Sequence, residues 1–254
     1  MSPLGIALIV FACVFGAAML GLFMGGVLPE HHLSQDSKDV VKLGTALIAT
    51  IAALVLSLLI SSAKSSFDKV NDELVQTAAK VVLLDRVLAD YGPETKEVRD
   101  LMKRSYTTAV ELIFSGDRSQ QAKLDTPGKV AWMEAIQAKL RGLSPQNDAQ
   151  RGLKSRALDI AGEMSSTRWL LLVQKEESIP MPLLVVLVVW LAIIFAAFGL
   201  FAPRNATVIA ALFLCALSAS GAILLILEMN SPLTGLMKIS SAPMREAFSH
   251  LGQQ

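Results

Sequence analysis

Four stretches of this chain carry no charged side chain and are long enough to cross a lipid bilayer. Leu4 to Leu28 is the first. As a helix its roughly 25 residues rise about 37 Å, enough for a hydrocarbon core of about 30 Å with some tilt. No basic segment precedes it, and it exceeds the length of a signal-peptide core, so an uncleaved span is expected. The second is Leu43 to Ala63, between Lys42 and Lys64. Leu183 to Ala202 and Ala206 to Leu227 are the third and fourth, joined by the hairpin Pro203-Arg204-Asn205. Pro180 and Pro182 mark re-entry, since proline suits the first turn of a helix.

These runs imply an all-α integral membrane protein: residues 1–63 form spans 1 and 2 with a short outer loop, 64–179 a helical domain, 180–229 spans 3 and 4, and 230–254 an amphipathic tail. Orientation follows from the Lys and Arg near the span ends. Lys64, Lys69, Arg168, Lys175, Lys238 and Arg245 lie on one side, against Lys38, Lys42 and Arg204 on the other. The first side is therefore expected to be cytoplasmic, together with both termini and residues 64–179.

Within the inserted domain, Phe67, Val70, Leu74, Ala78, Val81, Leu84 and Leu88 recur at three or four residues, so span 2 is expected to run on as an amphipathic helix until Tyr91-Gly92-Pro93 stops it. A second helix is expected from near Pro93, burying Val98, Leu101, Ser105, Ala109 and Leu112. Ser115 to Lys129 has the composition of a loop. Ala131 to Leu143 predicts a shorter helix through Met133, Ile136 and Leu140. After Ser144-Pro145, a long helix through Leu153, Ala157, Ile160, Met164 and Leu171 leads back to the membrane. In the tail, Leu233, Leu236, Met237 and Ile239, then Met244, Phe248 and Leu251, predict two short amphipathic helices lying on the membrane surface or on the inserted domain.

No phosphate loop, nucleophile elbow, zinc-protease motif or paired cysteine occurs, so an enzyme is not expected, nor is a cofactor or metal. The balance of 23 basic and 22 acidic residues gives no field that would draw nucleic acid. Cys13 and Cys215 lie in apolar runs and are expected to be free. Glu30, His31, His32 and Asp36 are read as a solvated loop, because adjacent residues on a helix do not share a face.

Ala17, Gly21 and Gly25 repeat every four residues, a small-xxx-small stripe for close helix packing within one subunit or between subunits. On span 2, Ala46, Thr50, Ala53, Ser57, Ser61 and Lys64 share one face, which either lines water or hydrogen-bonds its own backbone and packs tightly. Span 4 has a similar face in Thr207, Ala211, Cys215, Ser218 and Ala222. Glu228 closes that span as a boundary carboxylate, and Arg204 is an interfacial anchor or a charge at a pore mouth.

Ala63-Lys64-Ser65-Ser66-Phe67-Asp68, Leu84-Asp85-Arg86 with Tyr91-Gly92-Pro93, Phe198 to Thr207, and Leu227-Glu228 through Ser240-Ser241-Ala242-Pro243-Met244-Arg245 resemble a bacterial four-span membrane family labelled bestrophin-like, a domain of unknown function. The resemblance implies location in the bacterial inner membrane and kinship with bestrophins, which are pentameric anion channels with four spans and a helical cytoplasmic portion. It transfers none of their pore or calcium-binding residues to positions here. The expected function is an oligomeric anion channel lined by span 2, with a lipid bilayer, further copies of the chain and an inorganic anion as partners. The alternative is a non-conducting scaffold whose cytoplasmic helices bind a partner.

Overall fold

In the computed structural model the described residues are 2–29, 34–114, 127–174, 181–230, 232, 235 and 237–252, with side chains described outside 127–132 and 166–174. All regular structure among them is helical. Four helices are long and apolar enough to cross a membrane: α1 (Pro3–Met24), α2 (Gln35–Tyr91), α6 (Met181–Phe201) and α7 (Ala206–Met229). Between α2 and α6 come a turn of 3-10 helix (Pro93–Thr95), α3 (Lys96–Phe114), α4 (Pro127–Gly142) and α5 (Asp148–Gln174); α8 (Ala242–His250) closes the order. The chain divides into two compact units, Met1–Phe67 with Ser178–Ser231, and Asp68–Glu177 with Pro232–Gln254.

In the first unit, Ser2 starts α1 by accepting the Gly5 amide at 3.2 Å, with Pro3 in the first turn. Asn205 caps α7 in the same way, accepting from the Val208 amide at 2.8 Å. The interior is built from Val10, Val14 and Ala18 of α1, Leu184, Leu187, Ile194 and Phe195 of α6, Leu212, Ala216, Ile223 and Ile226 of α7, and Ala52, Leu59 and Ala63 of α2. Phe11 stacks on Phe15 at 5.7 Å, and both meet Phe213 edge-on at 5.3 and 5.5 Å.

In the second unit Leu84, Leu88, Met102, Ile136, Leu140 and Ile160 are almost wholly buried. Here α2 ends where Gly92 adopts φ 133°, a backbone setting that suits glycine, and Pro93 follows. The Thr95 hydroxyl, completely buried, lies 2.5 Å from the Leu88 carbonyl oxygen and 2.8 Å from that of Gly92, so its single proton is shared between two carbonyls at the helix end. Lys154 does the same for α4, donating to the Arg141 and Leu143 carbonyls at 2.7 Å each.

Several expectations shift. Span 2 does run on as one helix to Tyr91, but it begins at Gln35, inside the stretch read as loop; the Ser34 hydroxyl accepts the Ser37 amide at its start. The chain is helical from Pro127, earlier than composition indicated, because proline is at home in a first turn. Residues 115–126, with Glu30, His31 and His32, lie outside the described residues. On α3 the buried face is centred on Val98, Met102 and Tyr106, whereas Leu101, Ser105, Ala109 and Leu112 are only half-buried. Of the two tail helices expected, α8 is the second, and Leu233 and Leu236 of the first lie outside the described residues. The Ile239 amide donates to the Pro232 carbonyl at 3.1 Å.

Candidate functional site

Helix α2 is the least covered of the four spans: 17% of its apolar segment is buried, against 28 to 33% in the others. At about 100° per residue its side chains sort into three faces. Thr45, Ala52, Leu59 and Ala63 are buried against the interior of the first unit. About 140° round the helix lie Ala46, Thr50, Ala53, Ser57, Ser61 and Lys64, all exposed. Between the two sits an edge of large aliphatic side chains, Leu47, Ile51, Leu54 and Leu58, each at least 40% exposed. Thr50 donates its hydroxyl to the Ala46 carbonyl at 2.9 Å, which satisfies the donor and leaves the oxygen able to accept from water.

The other sequence-predicted residues have been placed as follows. Gly21 and Gly25 lie against the α6 backbone at Ala196 and Leu200, and Gly199 lies reciprocally against Ala18 and Leu22, so that a β-carbon at any of the three would collide with main chain. Ala17 is half-buried, one position off that seam. Arg204 donates to the Leu22 carbonyl from Nε at 3.2 Å and from its terminal nitrogen at 3.1 Å, and to the Phe23 carbonyl at 2.7 Å. It thereby caps α1, a cation at the negative end of the helix dipole, and Gly26 leaves the space its guanidinium occupies. Glu228 is buried in the last turn of α7. On α7, Thr207, Ala211, Cys215 and Ser218 are exposed and Ala222 is half-buried. Cys13 and Cys215 are free thiols.

Residue-by-residue reading missed the polar centre of the second unit. Asp85 of α2 is buried and accepts from Arg99 of α3 through both oxygens, at 2.8 Å from Nε and 3.1 Å from the terminal nitrogen. The Gly252 amide adds a third bond at 3.0 Å. Burial alone would raise the Asp85 pKa, but the Arg99 hydrogen bonds, the Gly252 amide and the Arg99 charge outweigh it and hold the carboxyl below the usual carboxylate range. The tail is held further by Tyr106, whose hydroxyl donates to the Met244 carbonyl at 3.1 Å, and by Lys103, which reaches the Leu251 carbonyl at 3.2 Å and stands 5.5 Å from the centre of the Phe248 ring. Contacts spanning more than 130 residues leave no local sequence signal. Only the presence of an acid inside the α2 apolar period, between Leu84 and Leu88, hinted at one. Among the described residues no group of three or more metal-ligating side chains comes together.

The bestrophin-like domain matches residues 12–244 of this chain. The protein belongs to the bestrophin-like family. Its fold is that of a bacterial bestrophin homologue from Klebsiella pneumoniae, known from several single-residue variants. A tyrosine-to-alanine variant superposes with a TM-score of 0.62 at 14% identity, covering 94% of this chain and 97% of the other. An aspartate-to-alanine variant gives 0.58 at 13%, covering 97% and 99%, and an isoleucine-to-threonine variant 0.58 at 13%, covering 96% and 97%. At these identities the likeness is one of fold. No curated protein matches the chain. A bestrophin-like, four-span integral membrane protein thus presents an exposed small and hydroxylated face on its longest helix.

Proposed function

We propose that the chain assembles with further copies of itself around an ion path lined by the small polar face of α2, and that inorganic anions are its cargo. The supporting observation is the exposure of Ala46, Thr50, Ala53, Ser57 and Ser61 on the side of α2 turned away from its own subunit's core. Hydroxyls and small side chains on such a face leave room for a partly hydrated ion when several copies surround an axis. The aliphatic edge beside it supports self-assembly.

The bias of Lys and Arg toward one set of span ends supports a cytoplasmic location for the termini and residues 64–179, with the spans in a bacterial inner membrane. Lys64 then forms a basic ring at the inner end of the spans, where it concentrates anions. Asp68, one turn further on the same face, opposes it, so the preference is modest. Lys64→Glu leaves two acidic rings and is expected to reverse the sign of the reversal potential in planar bilayers under a chloride gradient. A monomeric mass in detergent with no flux in liposomes, or a reversal potential unchanged in Lys64→Glu, would refute the assignment and favour a non-conducting scaffold.

A further inference from the structure

Charges return to the exposed face of α2 at both ends of the span, and they return in mirror order. Outward from Leu43 the face carries Lys42, then Asp39, then Asp36; inward from Ala63 it carries Lys64, then Asp68, then Asp72. At about 100° per residue all six fall within about 120° of one another around the helix, on the side of Thr50 and Ser57, and all six are exposed. Lys38 and Lys69 are turned about 100° away from Asp39 and Asp68. Between Lys42 and Lys64, about 33 Å apart along the axis, the helix carries no charge. At the outer end the Lys42 ammonium stands 3.5 Å from the Asp39 carboxylate, which also accepts from Gln35 at 3.3 Å. The carboxylate is thus held on the far side of the lysine from the span.

Resting on the pore-lining role of α2, we propose that the order of these charges, rather than their number, selects a small inorganic anion, and that Lys42 is the outer counterpart of Lys64. Counting alone gives the opposite sign, because each end carries one base and two acids on this face. Order decides because of where the ion gives up water. An ion entering the uncharged segment leaves part of its hydration behind, so its energy there depends most on the charges nearest the two ends of that segment, and at both ends these are lysines. The carboxylates stand about 4.5 and 9 Å further out at one end and about 6 and 12 Å at the other. They lie in water whose ions screen a charge over about 10 Å at about 0.1 M salt. Each end is therefore a dipole with its positive pole toward the segment, and the two dipoles add inside it, where low-dielectric walls preserve the field. A cation is drawn to either mouth by the acids and opposed by the lysines at the point of entry.

Reversal potentials of the full chain in planar bilayers under a potassium chloride gradient test the order. Asp39→Lys combined with Lys42→Asp keeps the net charge and composition of the outer end and inverts its dipole. The ratio of chloride to potassium permeability is expected to fall at least about twofold, and more at about 0.1 M than at about 1 M salt. Both side chains are more than half exposed, so the exchange leaves the interior of the first unit untouched. If the detergent mass of the double variant shows that it does not assemble, Lys42→Gln decides in its place and is expected to lower the same ratio. A chloride-selective wild type whose ratio the deciding variant leaves unchanged overturns the role of the order and leaves the ion path along α2. A potassium-selective wild type overturns it as well, since the count of charges has then prevailed over their order. If the wild type does not conduct, the pore-lining role of α2 falls and takes this inference with it.

Discussion

Two glycines on α1 offer the same chemical change with different surroundings. A β-carbon added at Gly21 would overlap the Ala196 carbonyl and approach the Leu200 amide to 3.0 Å, both of them α6 main chain, which has no rotamer to escape through. At Gly16 the same atom meets nothing within 4 Å. Both substitutions place alanine inside a helix, so the gain in helix propensity, about 1 kcal/mol in water, is common to both and cancels in their difference. What remains is the overpacking cost at Gly21, about 1–3 kcal/mol if the helices move apart by a fraction of an ångström. For a chain of this size each kcal/mol shifts the melting temperature by about 2–4 °C. Gly21→Ala is therefore expected to melt about 2–12 °C below Gly16→Ala in the same detergent. Intrinsic tryptophan fluorescence or light scattering during a thermal ramp reads the difference. Equal melting temperatures would show that α1 and α6 do not meet through this glycine seam and would refute the packing of the first unit.

Three further outcomes follow from the second unit and from the topology. The carboxyl of Asp85 is held below its unfolded value near 3.9, so its contribution is complete above that pH and is lost as pH falls through the lower folded value. Asp85→Asn should cost about 3 kcal/mol, because Arg99 is left without its charge partner, and should remove the acid-dependent fall in stability that thermal melts from about pH 6 to about pH 2 record for the wild type; identical slopes would count against the pair. Burial pushes the Tyr106 hydroxyl up to about 12. A raised value means stability that is complete below the unfolded value near 10 and declines as pH rises toward 12, a decline that Tyr106→Phe should lack at a cost of about 1 kcal/mol at neutral pH. Finally, in a variant without Cys13 and Cys215, single cysteines at Gln35 and Asn205 should react with an impermeant thiol reagent added to intact cells, and one at Gln120 should not; labelling at Gln120 would invert the orientation.

The architecture was legible because membrane spans and amphipathic helices announce themselves locally. Runs without charge match the ends of α1, α6 and α7 to within a few residues, and the three-to-four period from Phe67 to Leu88 foretold the long continuation of α2. The α3 face was misplaced by one residue, since Met102 and Tyr106 satisfy the same period as Leu101 and Ser105, and only the tail packed against that helix decides between them. Arg204 could be seen as a lone charge in a hairpin, but its role as a cap depends on carbonyls 182 residues earlier in the chain. The Asp85 centre was hidden for the same reason, with Gly252 lying 167 residues away.

The remaining ambiguity concerns which small residues face inward, and it has a single physical origin. In water an alanine or serine on an apolar helix marks the exposed side. In lipid both sides are apolar, and small side chains serve close packing as well as they serve a water path. On α2, Thr45, Ala52 and Ala63 are buried while Ala46, Ala53 and Ser57 are exposed. On α7, Ala216 and Ser220 are buried while Ala211 and Ser218 are exposed. On α1 the seam uses Gly21 and Gly25 together with Ala18 rather than Ala17. Composition does not separate these sets, because each helix has two small faces. What separates them on α2 is the next five turns. Beyond the bilayer the buried face continues as Leu74, Ala78, Val81 and Leu88, apolar side chains committed to a core, whereas the exposed face turns charged at Lys64 and Asp68. A helix long enough to leave the membrane thus carries its own reference, since the face that water touches outside shares its azimuth with the face that is free inside.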